Sequence, residues 1–542
     1  MKNTQRVHLE IQTHRKNPRG LIRTSVRKDG KNTHETISTL TGLSMEQLVL
    51  IQAALQGNVV LKKDFIVKNS KEYGASYAFL QLARDLGLDK MIYSRPSEAW
   101  VSDCLAMIIG KVIYAGSKLA LTRVTPDSCL WNVCGTGDGT IDVNTHCYQS
   151  MDKLFERQDA IQRKLAAKHL DNGSIVLYDI TSSYFEGEYE ESEIVTYGYN
   201  RDKKKGHEQI VIGLICSREG CPIAVEVFRG NTKDESTVKD KITQIKDTYN
   251  VKNAIFVGDR GMITKAQFER IQENGDDYIK TISALTHAQL AQLCGRDCVQ
   301  MSMFDQNGII QVIDPDSPGI RYGLSRNPAR GHKDRTARQE LIAKTEAELV
   351  KTAALKRPAS DATVGIRVGK IINKYNVGKL ITVEIRDGSV TWERNEEKIK
   401  EEEKLDGLYV IYTDVTEEEM NITEVVKTYR KLIGVEQAFR SLKTTQLEIR
   451  PIYHKTDDRI KCHVFLCMLA YYLMWNAKQR LAPLFDEDKD GQNKKYTFEH
   501  IVERLKSIRR ETVEIEGTET KIITECDEEQ QTILNNLRVK MQ

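Results

Sequence analysis

The sequence predicts an α/β fold: a mixed β-sheet with helices on both faces, interrupted by a β-rich α+β insertion and preceded by a mainly helical region. Three observations predict it. Residues 174–283 alternate short apolar runs with turns and helical stretches, the pattern of a sheet covered by helices. Residues 286–415 change to a basic stretch, a helical stretch and then strand-like runs. Residues 76–170 keep helical periodicity, as in AFLQLARDLGL and YQSMDKLFERQDAIQRKLAAKHL.

At 542 residues the chain is too long for one ordinary core, so several domains are expected. Lys plus Arg number 80 and Asp plus Glu 77, so the net charge of +3 says little about partners. The distribution says more, because the basic residues cluster. The 11 cysteines include no C-x-x-C pair and no paired Cys/His spacing, which argues against a cysteine-bound zinc and fits a reducing cytosol. The opening MKNTQRVHLE has no apolar run, so no export signal is expected there. The most apolar stretch, VFLCMLAYYLMW (464–475), is too short to span a bilayer and reads as a buried helix.

Taken in order, residues 1–75 read as a basic β-like arm and a helix. Ser44 is the expected N-cap of MEQLVLIQAAL, with Gln47 at the capping-box position. Residues 76–170 are helical. Asn172 and Gly173 mark a change, and residues 171–285 follow as the first part of the sheet: SIVLYDITSSYFEG, HEQIVIGLICSREG and CPIAVEVFRGN form a meander. The polar turn 217–220 joins the last two. Then come a helix (DESTVKDKITQIKDTY), the strand NAIFVGD, a helix over 265–273 and the strand DYIKTIS. A meander followed by helix, strand, helix, strand is the strand order of the RNase H-like fold. Residues 286–415 read as an insertion subdomain, in which the loop RNPARGHKDRTAR (326–338) leads into a helix. Two strands there, GKLITVEIRDG and SVTWERN, join through Asp387-Gly388. Residues 416–480 return to helix and complete the core. Residues 481–542 are polar and carry little functional signal.

Asp179 ends the run SIVLYD and Asp259 ends NAIFVGD, so both are expected at the rim of the sheet. Glu436 lies in YRKLIGVEQAFRSLK (429–443). Tyr429, Glu436 and Lys443 are spaced by sevens there and share a helical face, with Arg440 beside them. Val435, Phe439 and Leu442 form the opposite, core-facing stripe. A strand-end Asp is commonly a cap, and a helical Glu is commonly a solvated face residue. Three converging carboxylates repel one another, however, and divalent cations relieve that repulsion.

With these motifs the chain resembles the bacterial insertion-sequence transposases of the DDE class. The resembling branch carries a β-rich insertion between the second Asp and the Glu, and a Y-x2-R-x3-E-x6-K signature. D-I-T at Asp179, G-D-R-G at Asp259 and Tyr429 to Lys443 match its three blocks; FRGNTKDEST (228–237) and RPIYHKTDDRIKCHVFLCMLAYYL (450–473) also resemble it. Leu432 occupies the signature's Arg position, where Arg430 or Lys431 could supply the charge.

The resemblance implies an enzyme that nicks the ends of an insertion sequence and joins the 3′-OH ends to target DNA. Asp179, Asp259 and Glu436 would hold two Mg2+ or Mn2+ ions, Asp179 bridging them. Tyr429 and Lys443, with Arg440, would hold terminal phosphates. It also implies double-stranded DNA as partner, a homodimer bridging two ends, no membrane, and a cytoplasmic place on the nucleoid. Relatives can pass through a DNA hairpin, where Trp392 could stack on a displaced base, although a packed strand Trp explains it as well. Lys203, Lys204 and Lys205 of RDKKKGH suit backbone phosphates, or an exposed turn. DNA-end recognition is expected before residue 170. His454 and His463 read as structural rather than metal-binding. A decayed DNA-binding protein of the same fold and a metal-dependent nuclease unrelated to transposition are the alternatives.

Overall fold

The computed structural model describes residues 7–13, 18–28, 31–56, 65–199, 201, 204, 206–260, 262–263, 279–305, 308–354, 360–485, 496–515 and 518–541. They divide into two compact units. One comprises Met1–Ala78, Val124–Val133 and Leu484–Gln542; the other comprises Phe79–Arg123 and Cys134–Pro483.

The first unit opens with an antiparallel meander of β1 (Val7–Gln12), β2 (Arg19–Lys28) and β3 (Lys31–Leu40). The helix Met45–Leu55 follows, opened by the predicted capping box: Gln47 N–H donates to Ser44 Oγ at 3.2 Å and Ser44 N–H to Gln47 Oε1 at 2.9 Å. Leu9, Leu21 and Leu48 form a small buried core. β4 (Phe65–Glu72) ends this stretch.

The second unit is built on an eight-stranded mixed sheet. Its first strands are β5 (Ile175–Tyr184), β6 (Gln209–Ser217), β7 (Pro222–Arg229), β8 (Ile255–Gly258) and β9 (Lys280–Ala284). β5, β6 and β7 are antiparallel neighbours, while β5, β8 and β9 run parallel. The order β7-β6-β5-β8-β9 is compatible with an RNase H-like domain. β6 is buried along its whole length, as a strand covered on both faces must be. The outer edge at β7 is capped by a helix, Gln158–His169. Gln162 Oε1 accepts from Val225 N–H at 2.7 Å, and Gln158 Nε2 donates to Val225 O at 2.9 Å. The expected helix over 265–273 lies outside the described residues.

The stretch 286–415, expected to be an insertion subdomain, contributes strands to the same sheet. β10 (Ile310–Ile313), β11 (Arg321–Arg326) and β14 (Leu408–Thr413) continue the same sheet beyond β9, in the order β10-β11-β14-β9. Residues 285–412 hold two small cores: one around Leu290, Phe304, Val312, Leu324 and Val410, and a second, between β11 and β14, around Ile342, Leu349, Val368 and Val390. The stretch between β11 and β14 contains the hairpin of β12 (Ile381–Arg386) and β13 (Ser389–Arg394). Asp387 and Gly388 both take positive φ, 49° and 74°, as a two-residue hairpin turn requires. The basic stretch read as a loop is helical instead, within Pro328–Ala353. Pro328 sits in the first turn, and Asn327 caps it by accepting from Arg330 N–H at 3.1 Å.

The helix expected over 429–443 is broken into Ile422–Arg430 and Leu432–Arg440, followed by the π-helical turn Ser441–Thr445. Lys431 N–H bonds to Thr428 O at 3.0 Å, tightening the last turn of the first piece. The apolar stretch near 470 is the buried helix Asp457–Arg480, which packs on the helix Ala99–Tyr114 and on β7. Among the described residues no helix is long and apolar enough to cross a membrane, and no disulfide forms. The chain then returns to the first unit, where β15 (Arg509–Ile515) pairs with β4 on one side and β16 (Thr518–Ile523) on the other.

Candidate active site

Asp179 does not end its own strand, as the sequence suggested. β5 runs five residues further, because ITSSY keeps pairing with β6 as far as Gln209. What ends is the neighbour. Tyr178 stands beside Gly258, the last residue of β8, so Asp179 and Asp259 each follow that pair at the point where the two strands part. Asp179 Oδ1 accepts from Ile180 N–H at 2.8 Å. Burial, and then the neighbouring Asp259, push its carboxyl up to about 7, with Glu436 adding to the push. The Ile180 amide and the Arg201 guanidinium oppose it.

Asp259 is exposed, and its backbone is pinned. Its carbonyl accepts from Ser283 Oγ of β9 at 3.2 Å and from Met262 N–H at 3.1 Å. Tyr412 of β14 donates to Ile263 O at 2.6 Å and holds the turn that follows. Tyr429 donates from its phenol to Asp259 Oδ1 at 2.8 Å. The Tyr429 ring is buried, edge-on to Tyr409 with 5.9 Å between centroids. Burial and the Asp259 charge hold its hydroxyl far above the ordinary tyrosine range.

Glu436 projects from the helix Leu432–Arg440, which packs on β5 through Leu432, Val435, Ala438 and Phe439. The predicted core stripe of Val435, Phe439 and Leu442 is buried, and Glu436 is exposed on the other side. Tyr429 is buried before the break at Lys431, and Glu436 is exposed after it.

Asp179, Asp259 and Glu436 line one open pocket of about 290 Å³, with Arg201, Arg260 and Phe439 among the other walls. Three carboxylates with no thiol or imidazole form a donor set suited to hard divalent cations such as Mg2+ or Mn2+. Among the described residues, however, no three His, Cys, Asp or Glu side chains stand close enough to hold one metal ion together. The donor chemistry fits such ions; joint coordination requires the acids to draw closer.

Among the described residues, the other predicted ones fall outside the lining of this pocket. Arg440 is exposed one turn beyond Glu436, and Lys443 is half-buried in the turn Ser441–Thr445. Arg430 is exposed and acts electrostatically on the Tyr409 hydroxyl. Lys204 lies 5.7 Å from the centre of the Tyr184 ring. Lys203 and Lys205 lie outside the described residues. Trp392 packs on the small core between β11 and β14. Leu432, at the signature's Arg position, is buried. His454 and His463 are buried near one another, with ring centroids 5.6 Å apart. Sequence reasoning missed Arg201 and Arg260 as pocket residues. Each adjoins a motif already singled out, RDKKKGH and G-D-R-G, so the signal was present.

The sequence profile of the family described as "Transposase DDE domain" matches residues 171–473, more than half of the chain. No curated protein matches it.

Proposed function

The chain belongs to the transposase DDE-domain family, and from that premise we propose that it cuts DNA at the ends of an insertion sequence and joins the 3′-OH ends to target DNA. The carrying observation is the single pocket that Asp179, Asp259 and Glu436 line at the parting of β5 and β8. These three carboxylates would hold Mg2+ or Mn2+, which when bound would acidify a water or a 3′-hydroxyl and stabilise the leaving oxygen.

The chain's own residues do the rest. Arg201 and Arg260 line the same pocket and offer guanidinium forks to phosphate oxygens. Tyr429 fixes the rotamer of Asp259 through its hydrogen bond. Phe439 and Met262 add apolar wall to the same pocket.

The test uses labelled duplexes carrying the inverted repeats that flank the coding sequence, with Mg2+. Nicks ending in 3′-OH are expected, and Asp259→Ala should abolish them. Cutting that survives this substitution refutes the assignment. A second reading, a decayed DNA-binding protein of the same fold, is favoured by the spacing of the acids, which as placed do not form a metal cluster. Binding of the duplex without any nick would select it.

A further inference from the structure

The connection between β5 and β6 leaves two large aromatic side chains in solvent: Tyr197 is 67% exposed and Tyr199 is 84% exposed. The backbone beneath them is not loose. Thr196 and Gln209 exchange backbone hydrogen bonds of 3.1 and 3.0 Å. Gln209, wholly buried, donates from its side chain to Tyr199 O at 3.0 Å and to Gly230 O at 2.7 Å. Gly230 N–H in turn bonds Ile194 O at 3.0 Å.

Gly198, between the two tyrosines, lies so close to Gly230 that a Cβ would stand 1.9 Å from the Gly230 carbonyl oxygen. Just beyond, Arg201 N–H donates to Ser182 Oγ at 3.0 Å, and Arg201 lines the acid pocket. The segment is therefore clamped to the sheet on both sides of the tyrosines, while their rings face outward. Tyr199 and Arg201 are two positions apart, at most about 7 Å of chain.

A single exposed ring is ordinary. Two rings on a clamped backbone, next to a residue of the acid pocket, form a preorganised apolar surface within chain reach of a strand whose phosphate the pocket holds. We propose that Tyr197 and Tyr199 are a stacking platform for an unpaired base beside the scissile phosphate. This rests on the reading of the pocket as a DNA-cutting centre. Nucleobases suit the surface because each has a π-face, and stacking on an aromatic ring needs no sequence-specific hydrogen bond. The platform would trap the base that leaves the duplex as the strand is drawn to the acids.

The test places 2-aminopurine next to the mapped cut in the same labelled duplex. Binding of wild-type protein should quench its fluorescence by stacking. Tyr197→Ala/Tyr199→Ala should lose the quench and cut a fully paired end about tenfold more slowly or worse. The double variant should lose much less on a duplex already mismatched at that base, since the cost of unpairing is then removed. Tyr197→Phe/Tyr199→Phe should keep both quench and rate. A double alanine variant that quenches and cuts like wild type overturns the platform and leaves the cutting centre standing. Wild-type protein that cuts nothing overturns both.

Discussion

Tyr429 and Asp259 lie 170 positions apart and are joined by a 2.8 Å hydrogen bond from the phenol to Oδ1. The bond links the segment that carries Glu436 to the turn that follows β8. It also occupies the hydroxyl that the sequence motif suggested for a DNA phosphate. Tyr429→Phe keeps the buried ring and removes only the bond, so the fold should lose about 1 kcal/mol. Cutting should fall roughly 10- to 100-fold, with a higher Mg2+ concentration at half-maximal rate, as when an orienting partner of a metal ligand is lost. Cleavage measured across a Mg2+ series checks this; an unchanged Mg2+ midpoint refutes it.

Asp179 illustrates the conflict between site and stability. Its carboxylate is held beside Asp259 in a position where burial resists the charge. Asp179→Asn removes that repulsion at nearly constant volume. The variant should be inactive in DNA cutting and, without divalent cations, more stable than wild type by a few kcal/mol, because burial and then Asp259 push the wild-type carboxyl up to about 7. Thermal melts in EDTA at pH 8 test it. A variant that melts lower than wild type would mean that the carboxylate has stabilising partners outweighing its neighbours.

The buried histidine pair should make the fold acid-sensitive. Burial, then Lys118 and Arg459, pull His454 down to about 3, against a weak opposing pull from Asp152. His463 lies well below its ordinary value for the same leading reason, and its Nε2 bonds Ile449 O at 2.9 Å. Lys118 bonds the other ring nitrogen, so His463 is neutral in the fold. Folded values below the unfolded one mean that this contribution is full above pH 6.5 and is lost as pH falls toward 3. The loss is about 1.4 kcal/mol per pH unit for each ring. Lys118, lowered to about 8, is protonated in both states across that window and adds no slope. Urea midpoints from pH 7 to 5 should fall steeply, and less steeply in His454→Gln.

What could be read in advance follows from how local each signal is. The β6–β7 turn, the Asp387-Gly388 hairpin and the Ser44 capping box are set by residues within a few positions, and each forms as expected. Asp179 and Asp259 share a pocket because apolar runs of matching character place them in adjacent parallel strands. The helix break at Lys431 was not legible, since seven-residue spacing assumes one continuous helix. The pairing of β15 with β4 was not legible either: it joins residues more than 400 positions apart, and β4 carries no marker of its partner. The helix over the basic stretch was misread because Arg and Lys there suggested solvent, while Asn327 and Pro328 carried the start signal.

Leu432 shows why the missing signature arginine is not a simple loss. The side chain is 6% exposed and packs with Val435 and Phe439 beneath the helix that carries Glu436. An arginine in that orientation would bury a charge, so Leu432→Arg should cost several kcal/mol and should not improve DNA binding. The substitute cation is expected two residues earlier, where Arg430 is exposed and close enough to act on the Tyr409 hydroxyl beside Tyr429. Arg430→Ala should leave the melting temperature nearly unchanged, because it removes an exposed side chain. It should weaken binding of the duplex and lower the slope of log K against log salt by about 0.9, the loss of one phosphate contact. Titrations at several salt concentrations measure that slope, and a slope equal to wild type would show that Arg430 touches no phosphate.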